Sequence, residues 1–379
     1  MAARAVCEVD LDAISANVAA LGAHAPGAGL LAVVKADAYG HGLIEVARAA
    51  LDGGATWLGT ALLRESVVLR HHGFSSPILT WLWAPGDPDL ADCVRSEIDV
   101  TASSAWQLDA LTSAAHATGI RARVQLKIDT GLGRSGATPD DWPALVDRAV
   151  RLQAAGTVRV TGIWSHFSSA DAPSSSSNAA ELAAFDAALE VAAAAGLSPE
   201  VRHIANSAAT LVAPRAHYDL VRPGIAMYGV SPGGEVGPPE EFGLVPAMTL
   251  RARLAGVKRV PAGQGVSYGH EYVTVARTTL GLVPLGYADG IPRAASGRGP
   301  VLAAGRIRPI AGRVCMDQFV IDLDDSPAEP GDEVVLFGRP SRGEPSAEDW
   351  ARASGTIGYE IVTRLGPRIE RVHVGGGRS

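Results

Sequence analysis

The feature that most constrains the fold is a repeated alternation, over about the first 225 residues, of short apolar runs with longer alanine-rich segments. The apolar runs are rich in β-branched residues and the segments between them have helical spacing, as in repeated β-strand and α-helix units. Eight strands are predicted, near residues 30–35, 56–60, 77–82, 98–102, 122–128, 158–165, 201–205 and 218–222. Helices are predicted at 42–51, 61–72, 103–118, 140–155 and 178–195. This α/β content predicts a (β/α)8 barrel of the TIM type; an open doubly wound sheet would give much of the same pattern, but the count of strands favours the barrel.

The pattern changes where proline and glycine cluster, in residues 231–239. The length of 379 residues also exceeds the size at which a single core usually stops growing. We therefore predict a boundary near residue 235, with the barrel in residues 1–235 and a second domain in residues 236–379. Strand-like pieces at 247–260, 278–284, 307–310, 314–323 and 333–337, separated by glycine and proline turns, predict that the C-terminal domain is mostly β.

Composition excludes several classes of protein. Apolar residues make up 47% of the chain without any run long enough to cross a bilayer, so we expect no membrane span. The net charge of −7 brings no basic stripe, which argues against nucleic acid as a partner. Glu8 and Asp10 lie where a signal peptide needs an apolar core, and Cys7, Cys93 and Cys315 lack the spacing of a metal site or a disulfide framework. We expect a cytoplasmic protein without a metal.

The first candidate for chemistry is Lys35, which ends the apolar run 30–34 and is followed by a glycine-containing turn. A lysine at the tip of a buried strand loses hydration and can offer a neutral amine to a carbonyl compound, which is Schiff-base chemistry. The alternative is a solvated lysine at the end of a strand, which is the usual state of an isolated lysine.

Further polar residues follow the other predicted strands, on the face where barrel enzymes carry their active sites. They are Lys127 and Asp129 after the fifth strand, His166 after the sixth, Asn206 and Ser207 after the seventh, and Arg222, Pro223 and Gly224 after the eighth. Barrels commonly bind phosphate after strands seven and eight, so Asn206, Ser207 and Gly224 are predicted at a phosphate site, together with the hydroxyl of Tyr39. A plain turn would explain the Arg-Pro-Gly tripeptide equally well.

Several motifs resemble those of the alanine racemase family. They are AVVKADAYGHG from Ala32, the run Leu126–Gly136, SHFSSAD from Ser165, VSYG from Val266, GYADG from Gly286, CMD from Cys315 and IGYE from Ile357. The resemblance spans nearly the whole chain. It implies a pyridoxal 5'-phosphate enzyme that interconverts L-alanine and D-alanine by a two-base mechanism through an aldimine of the cofactor, supplying D-alanine for peptidoglycan.

The same resemblance assigns roles around the cofactor. Lys35 would hold it covalently, while Tyr39, Ser207, Gly224, Ile225 and Tyr359 would bind its phosphate. Arg222 would face the pyridine nitrogen and disfavour its protonation, and His166 would hydrogen-bond Arg222. Arg134 would support the phenolic oxygen of the cofactor and the carboxylate of the substrate. Lys127 would be carbamylated, since a carbamate anion would hold Arg134 where an ammonium would repel it; the alternative is a simple Lys127–Asp129 or surface ion pair.

Racemisation needs a second acid-base group on the opposite face of the substrate, because one group returning the proton to the same face preserves chirality. Tyr268, in the VSYG motif, is the candidate, although a lone tyrosine in such a strand is usually a packing residue. A free phenol has a pKa of about 10, so neighbours would have to support its anion. Family members are homodimers with shared sites, which implies that Tyr268 and Met316 act on the partner's barrel. The substrate entry would be narrowed by Asp171, Tyr287, Tyr359, Arg293, Arg313 and Ile357.

Three alternatives remain open from the sequence. The first is a racemase of another small amino acid such as serine. The second is a pyridoxal-phosphate decarboxylase of the same architecture, and the third is a non-catalytic carrier of pyridoxal phosphate. The decarboxylases place a carboxylate at the pyridine nitrogen, whereas the matching residue here is Arg222. The carriers lack the β domain that this chain has. The serine-rich loop 172–178 departs from the acidic sequence of the family, so access to the site is expected to differ.

Overall fold

A computed structural model describes residues 3–377. Its N-terminal region contains eight parallel strands that follow one another in spatial order as they do in sequence, apart from the last strand, which returns to lie beside the first. The strands are Gly29–Val33, Trp57–Leu62, Ile78–Leu82, Asp99–Ala102, Ala122–Lys127, Val158–Trp164, Val201–His203 and Leu220–Val221. All eight predicted strands are confirmed, and they are called here the first to eighth barrel strands.

The barrel closes between the seventh and eighth strands. Asp219 N donates to Arg202 O at 3.1 Å and Arg222 N donates to Ala205 O at 3.0 Å, just outside the short strand segments. A doubly wound sheet would instead change direction at its first strand, so the predicted barrel is confirmed. Most strand residues are buried, polar ones included, because a parallel sheet covered by helices is buried on both faces; all four residues of Asp99–Ala102 are buried.

Helices lie between the barrel strands and cover the outside of the barrel. They are Leu43–Asp52, Leu63–His71, Leu90–Arg95, Ala105–Thr118, Trp142–Ala154, Ser176–Ala194 and Ser207–Val212, and Leu11–His24 precedes the first strand. The five helices predicted from spacing are confirmed within a few residues at either end. The described part of the chain, residues 3–377, has no helix with both the length and the apolar content needed to cross a bilayer.

The C-terminal region is built from three antiparallel or mixed sheets. The largest has six strands in the order Arg306–Pro309, Pro300–Ala303, Glu333–Phe337, Met248–Arg253, Ala5–Asp10 and Glu370–Val374. The second consists of Gly256–Val260, Thr278–Val283 and Phe319–Asp322, and the third of Gly265–Val266 and Tyr272–Val273. Helices Ala347–Ser354 and Gly358–Thr363 complete the region, which agrees with the predicted mostly-β domain.

One strand of the six-stranded sheet comes from the opposite end of the chain. Residues 5–10 alternate between buried and partly exposed positions, as a strand with one covered face does, and pair with Met248–Arg253 and Glu370–Val374. Asp10 then caps helix Leu11–His24 by accepting from Ala13 N at 3.0 Å, and its other oxygen pairs with Arg339. The start of the chain therefore ties the second region to the barrel.

Candidate active site

Lys35 follows the first barrel strand and opens a left-handed turn. Ala36, Asp37, Ala38 and Tyr39 all have φ between 52° and 54°, a region that residues with a Cβ occupy at a cost of about 1–2 kcal/mol each. Four such residues in succession need strong external support. The turn sets Tyr39 on the same rim of the barrel as Lys35, with Lys35 Nζ 5.8 Å from the centre of the Tyr39 ring.

Hydrogen bonds from outside the turn supply that support. Glu65 Oε1 accepts from Ala36 N at 2.7 Å, and its other oxygen accepts from Ala61 N and Leu62 N at 3.0 Å each. At the other end, Arg371 Nε donates to Gly40 O at 2.7 Å. Gly40 itself has φ 79°, and a Cβ there would lie 2.7 Å from Val362 O, so glycine is required. The second region thus helps to hold the turn that carries Lys35.

The surroundings of Lys35 favour its neutral amine. Burial lowers the pKa of Lys35, the nearby Arg134 cation lowers it further, and Glu65 partly opposes both. No hydrogen bond or ion pair from residues 3–377 occupies Nζ, which leaves it available for a reactant. This arrangement is the one that activates a lysine as a nucleophile or base.

Donors converge at the ends of the seventh and eighth barrel strands. Ser207 Oγ accepts from Gly224 N at 2.8 Å and from Ala226 N at 3.3 Å, so its own proton remains free to donate. Gly224 lies against Tyr39, whose hydroxyl would be 2.4 Å from a Cβ at position 224. The Tyr39 and Tyr359 rings are 6.3 Å apart, and within residues 3–377 neither hydroxyl has a hydrogen-bond partner. Burial raises the pKa of both phenols, so both are neutral donors.

Two other residues predicted at this end have structural contacts. The Asn206 side chain caps helix Ser207–Val212, accepting from Ala209 N at 3.0 Å. Ile225 is completely buried at the start of a 3-10 turn, Ile225–Tyr228. Asn206 therefore orients the helix that carries Ser207, and Ile225 contributes backbone and packing beside Gly224.

The fifth barrel strand ends in a loop that folds back on itself. Ala137 N donates to Lys127 O at 2.9 Å, and Asp129 N donates to Ala137 O at 2.9 Å. Asp129 Oδ1 accepts from the amides of Gly131 and Gly133, so its carboxylate holds the loop instead of pairing directly with Lys127. The fold of this loop brings Ser135 Oγ to 2.5 Å from Lys127 Nζ.

Lys127 is almost completely buried beside two other cations. Burial, Arg134 and Arg222 together lower the pKa of Lys127 to about 7, with Asp129 acting in the opposite direction. Its Nζ lies 4.4 Å from the centre of the Trp164 ring. Arg134 is exposed, and no carboxylate in the described chain pairs with it. A lysine amine of lowered pKa and an unpaired guanidinium therefore lie close together after the fifth barrel strand.

Arg222 is buried at the end of the eighth strand and is held by uncharged acceptors. Its Nη1 donates to Nδ1 of His203 at 2.9 Å, and its Nη2 donates to Nδ1 of His166 at 3.1 Å and to Ser165 O at 2.8 Å. Burial lowers the pKa of Arg222 to about 9, which leaves it cationic at neutral pH. Burial and the Arg222 charge hold the pKa of both histidines well below its usual range, so both are neutral acceptors.

The remaining predicted residues form a separate group in the C-terminal region. Ser267 Oγ donates to Arg313 O at 2.8 Å, and Tyr287 N donates to Cys315 O at 3.0 Å, which gathers Tyr268, Tyr287, Arg313 and Met316. Arg293 is nearby, since its charge acts on the Glu271 carboxylate that pairs with Arg313. Tyr268 is 69% exposed, and Met316 and Tyr287 are also exposed. Tyr268 stands on a 3-10 turn, Tyr268–His270, and not within a strand.

Within residues 3–377, no hydrogen bond, ion pair or ring contact joins this C-terminal group to the barrel residues. Asp171 and Ile357, by contrast, lie with the barrel group. The Asp171 charge acts on Tyr359, and Ile357, 60% exposed, directly precedes the helix that carries Tyr359. The structure therefore divides the predicted site into two clusters on one chain.

Sequence reasoning missed three side chains of the barrel cluster. His203 bonds Arg222, Glu65 holds the turn after Lys35, and Trp164 stacks on His203 with ring centres 5.7 Å apart. The rule that polar residues follow barrel strands would have found His203, which ends the seventh strand. Glu65 lies on a helix and Trp164 in an apolar strand, and neither position carries a sequence signal.

Comparison with known families supports the assignment over the whole chain. The model described as "Alanine racemase, N-terminal domain" matches residues 9–232, and "Alanine racemase, C-terminal domain" matches residues 247–373. The alanine racemase of Streptomyces coelicolor is 59% identical over 376 residues, covering 98% of this chain and 96% of that protein. That of Frankia casuarinae is 57% identical over 371 residues, with the same coverage of both chains.

Solved structures give the same result. The alanine racemase of Streptomyces lavendulae, a D-cycloserine producer, matches with a TM-score of 0.98 and 58% identity over 99% of this chain and 98% of that one. The Bacillus anthracis enzyme with bound L-Ala-P matches with a TM-score of 0.90 and 34% identity over 100% of this chain and 97% of that one. The chain therefore belongs to the alanine racemase family of pyridoxal 5'-phosphate enzymes, isomerases that interconvert L-alanine and D-alanine.

Proposed function

We propose that Lys35 and Tyr268 are the two proton carriers of the racemase, and that each active site combines Lys35 of one subunit with Tyr268 of its partner in a homodimer. The observation that supports this most directly is the separation of the two clusters. Lys35 lies in a barrel mouth lined by cations and neutral donors, whereas Tyr268 is largely exposed and, within residues 3–377, has no hydrogen bond or ring contact with that mouth. A second copy is the simplest source of the missing phenol.

The barrel residues suit pyridoxal 5'-phosphate chemically. The Ser207, Tyr39 and Tyr359 hydroxyls offer unoccupied donors for a phosphate, and the missing side chain at Gly224 leaves room beside them. Trp164 Nε1 is a buried N–H with no hydrogen-bond partner in residues 3–377, so it is a further donor that the protein itself leaves unused. When bound, the cofactor supplies an electron-withdrawing ring that acidifies the Cα proton of an attached amino acid.

In this arrangement the protein residues divide the work. Lys35 holds the cofactor and moves a proton at Cα on one face, and Tyr268 moves a proton at Cα on the other. Arg134 binds the substrate carboxylate with Met316 of the partner beside it. Arg222, kept cationic between two neutral histidines, would face the ring nitrogen and disfavour its protonation. His166 positions Arg222 and would connect it with the Tyr268 phenol of the partner subunit.

Mixing two inactive variants tests the shared site. Lys35→Ala and Tyr268→Phe should each lose at least about 1,000-fold in racemisation rate, because each removes one proton carrier. After the two are unfolded and refolded together, about half of the dimers are mixed, and each mixed dimer has one complete site if the residues act in trans. The activity should then return to about a quarter of the wild-type value, measured on a chiral column.

A chain that completes its own site gives another result. Every site in the mixture would then lack one carrier, and activity would stay at the level of the separate variants. Refolded wild-type protein provides the control for yield. The cofactor absorption band should be altered in Lys35→Ala and retained in Tyr268→Phe, so that loss of cofactor is distinguished from loss of the second carrier.

Lys127 is proposed to carry a carbamate. Its amine, with a pKa of about 7, has a substantial neutral fraction at physiological pH, and this form adds to carbon dioxide with release of one proton. The resulting anion would balance Arg134 and Arg222, the two cations beside it. Addition of ¹³C-bicarbonate should give one slowly exchanging carbonyl resonance, absent from Lys127→Met; its absence from fresh wild-type protein would exclude the carbamate.

Substrate access is proposed to pass between the two clusters. Asp171, Tyr359 and Ile357 would form its barrel side, and the partner's copies of Tyr287, Arg293 and Arg313 the other, which favours a small side chain. Assays with each L-amino acid, with and without added cofactor, measure that selectivity.

We further propose that the chain divides into two domains near residue 235, and that the enzyme supplies D-alanine for peptidoglycan from the cytoplasm. The three cysteines of the protein, all unpaired in the described chain, fit that reducing compartment.

A further inference from the structure

A line of buried side chains continues from Arg222 into the interior of the barrel. His203 Nε2 lies 2.7 Å from Gln125 Oε1, Gln125 Nε2 donates to Asp99 Oδ2 at 2.9 Å, and Arg123 Nε donates to Asp99 Oδ1 at 2.5 Å. His203 and Gln125 are completely buried and Asp99 is 1% exposed. The line crosses the barrel between the fourth, fifth and seventh strands.

Only one assignment of donors and acceptors satisfies all the hydrogen bonds of this line. A guanidinium cannot accept a hydrogen bond, so Nδ1 of His203 must accept from Arg222 and Nε2 must carry the proton. That proton needs an acceptor, which is Gln125 Oε1. The Gln125 amide is turned this way because its NH2 group donates to the Asp99 carboxylate. A reversed amide would set an N–H of Gln125 against the N–H of His203.

We propose that Gln125 and Asp99 are positioning residues for racemisation, acting through His203 to hold Arg222 at the ring nitrogen. The inference rests on the role proposed above for Arg222. Within residues 3–377, no carboxylate lies within ion-pair distance of Arg222. In this part of the chain, the line through His203 and Gln125 is the only series of side-chain hydrogen bonds that connects Arg222 to a carboxylate, that of Asp99. The carboxylate polarises the amide, the amide makes the imidazole a stronger acceptor, and the imidazole fixes the guanidinium, in the manner of outer residues that orient a metal-bound histidine.

Gln125→Met tests the line because it keeps the volume of the side chain and removes both hydrogen bonds. We expect a loss of about 10- to 100-fold in kcat with KM changed by less than about 2-fold. Pyruvate formed per racemisation should rise, because a loosened Arg222 allows the ring nitrogen to be protonated. A protonated ring would favour the side reaction in which the amino group of alanine stays on the cofactor and pyruvate is released. In the cofactor-free protein, NMR of ¹⁵N-labelled histidine should show loss of the hydrogen-bonded Nε2–H signal of His203.

Two further variants separate this role from a general effect on folding. Thr161→Val removes another hydrogen bond to the same Asp99 oxygen, made at 2.6 Å, without breaking the line. It should keep the wild-type kcat and His203 signal. The double variant Asp99→Asn with Gln125→Glu exchanges carboxylate and amide but leaves an acceptor facing His203. Its kcat should recover to within about 5-fold of wild type and the Nε2–H signal should return.

Several outcomes would overturn the proposal. If Gln125→Met has the same kcat and forms the same amount of pyruvate as wild type, a positioning role is excluded. The role is also excluded if Gln125→Met loses no more kcat than Thr161→Val and its His203 signal is unchanged. Failure of the double variant to recover would exclude the polarity argument. Arg222→Lys distinguishes the two levels of inference. If it forms no more pyruvate than wild type, the role of Arg222 is wrong, while the NMR result still reports whether Gln125 sets the proton of His203.

Discussion

Glu65→Gln should loosen the left-handed turn that carries Lys35. The carboxylate accepts three backbone amides, one at Oε1 from Ala36 and two at Oε2 from Ala61 and Leu62. Glutamine has a single acceptor oxygen, so its amide must either give up two of these bonds or give up the one to Ala36. The cheaper orientation gives up Ala36, which directly follows Lys35 and is the first residue with positive φ.

The cost follows from the bonds that change. Losing one hydrogen bond to a charged group costs about 1.5–3 kcal/mol, and the two that remain become neutral bonds of roughly half the strength. We therefore expect the free energy of unfolding to fall by about 2–4 kcal/mol, measured by urea denaturation of the cofactor-free protein. Hydrogen exchange of the Ala36 amide should accelerate by at least about 10-fold, because its acceptor is lost.

Glu45→Gln is the matched control, since Glu45 is also half-buried and has no hydrogen bond within the described chain. It should change the free energy of unfolding by less than about 0.5 kcal/mol. If Glu65→Gln leaves both the unfolding free energy and the Ala36 exchange rate at wild-type values, the turn is held by something other than this carboxylate. In that case the backbone support described for Lys35 is wrong.

Two further predictions concern the charges and donors of the barrel mouth. Burial and two arginines lower the pKa of Lys127 to about 7, below the value of about 10.4 in the unfolded chain, so between these values the unfolded state binds more protons and stability rises with pH. Lys127→Met removes this titration, so the variant should be the more stable protein at pH 7 when compared with wild type free of bicarbonate and cofactor. The difference between their free energies of unfolding should shrink by roughly 3 kcal/mol from pH 7 to pH 10. A difference that does not depend on pH would contradict the lowered pKa of Lys127. Tyr39→Phe removes a hydroxyl without a partner in the described chain, so it should leave unfolding within about 0.5 kcal/mol of wild type but weaken cofactor binding about 10-fold by titration of the absorption band; unchanged affinity would exclude Tyr39 from the phosphate site.

The barrel could be predicted because its information is local. Each strand is a short β-branched run, and parallel strands collect their carboxyl ends on one face, so the amino-acid sequence alone was enough to assign Lys35, Lys127, His166 and Arg222 to one rim. Strand Ala5–Asp10 was missed for the opposite reason. Its alternation is short, and its partners lie more than 200 residues away along the chain, so only the folded chain shows which sheet it joins.

The turn after Lys35 could not be predicted from its own residues. Ala36, Ala38 and Tyr39 have no intrinsic preference for positive φ, and a glycine pattern, which would have signalled it, begins only at Gly40. Its conformation is imposed by Glu65 from helix Leu63–His71 and by Arg371 from the last strand. Strain of this kind is expected where surrounding structure fixes a functional residue, and local propensity gives the wrong answer there.

The charges of the barrel mouth explain why its residues are arranged as they are. Lys35, Lys127, Arg134 and Arg222 converge there, while the carboxylates that act on the two lysines, Glu65 and Asp129, accept backbone amides and pair directly with none of the four. Each cation lowers the pKa of another basic group, as Arg134 does for Lys35 and for Lys127. The site is therefore short of negative charge until anionic groups enter it. The phosphate of the cofactor and the carboxylate of an amino acid are such groups, so the excess of positive charge that adds to burial in lowering the pKa of both lysines also favours binding of these two molecules.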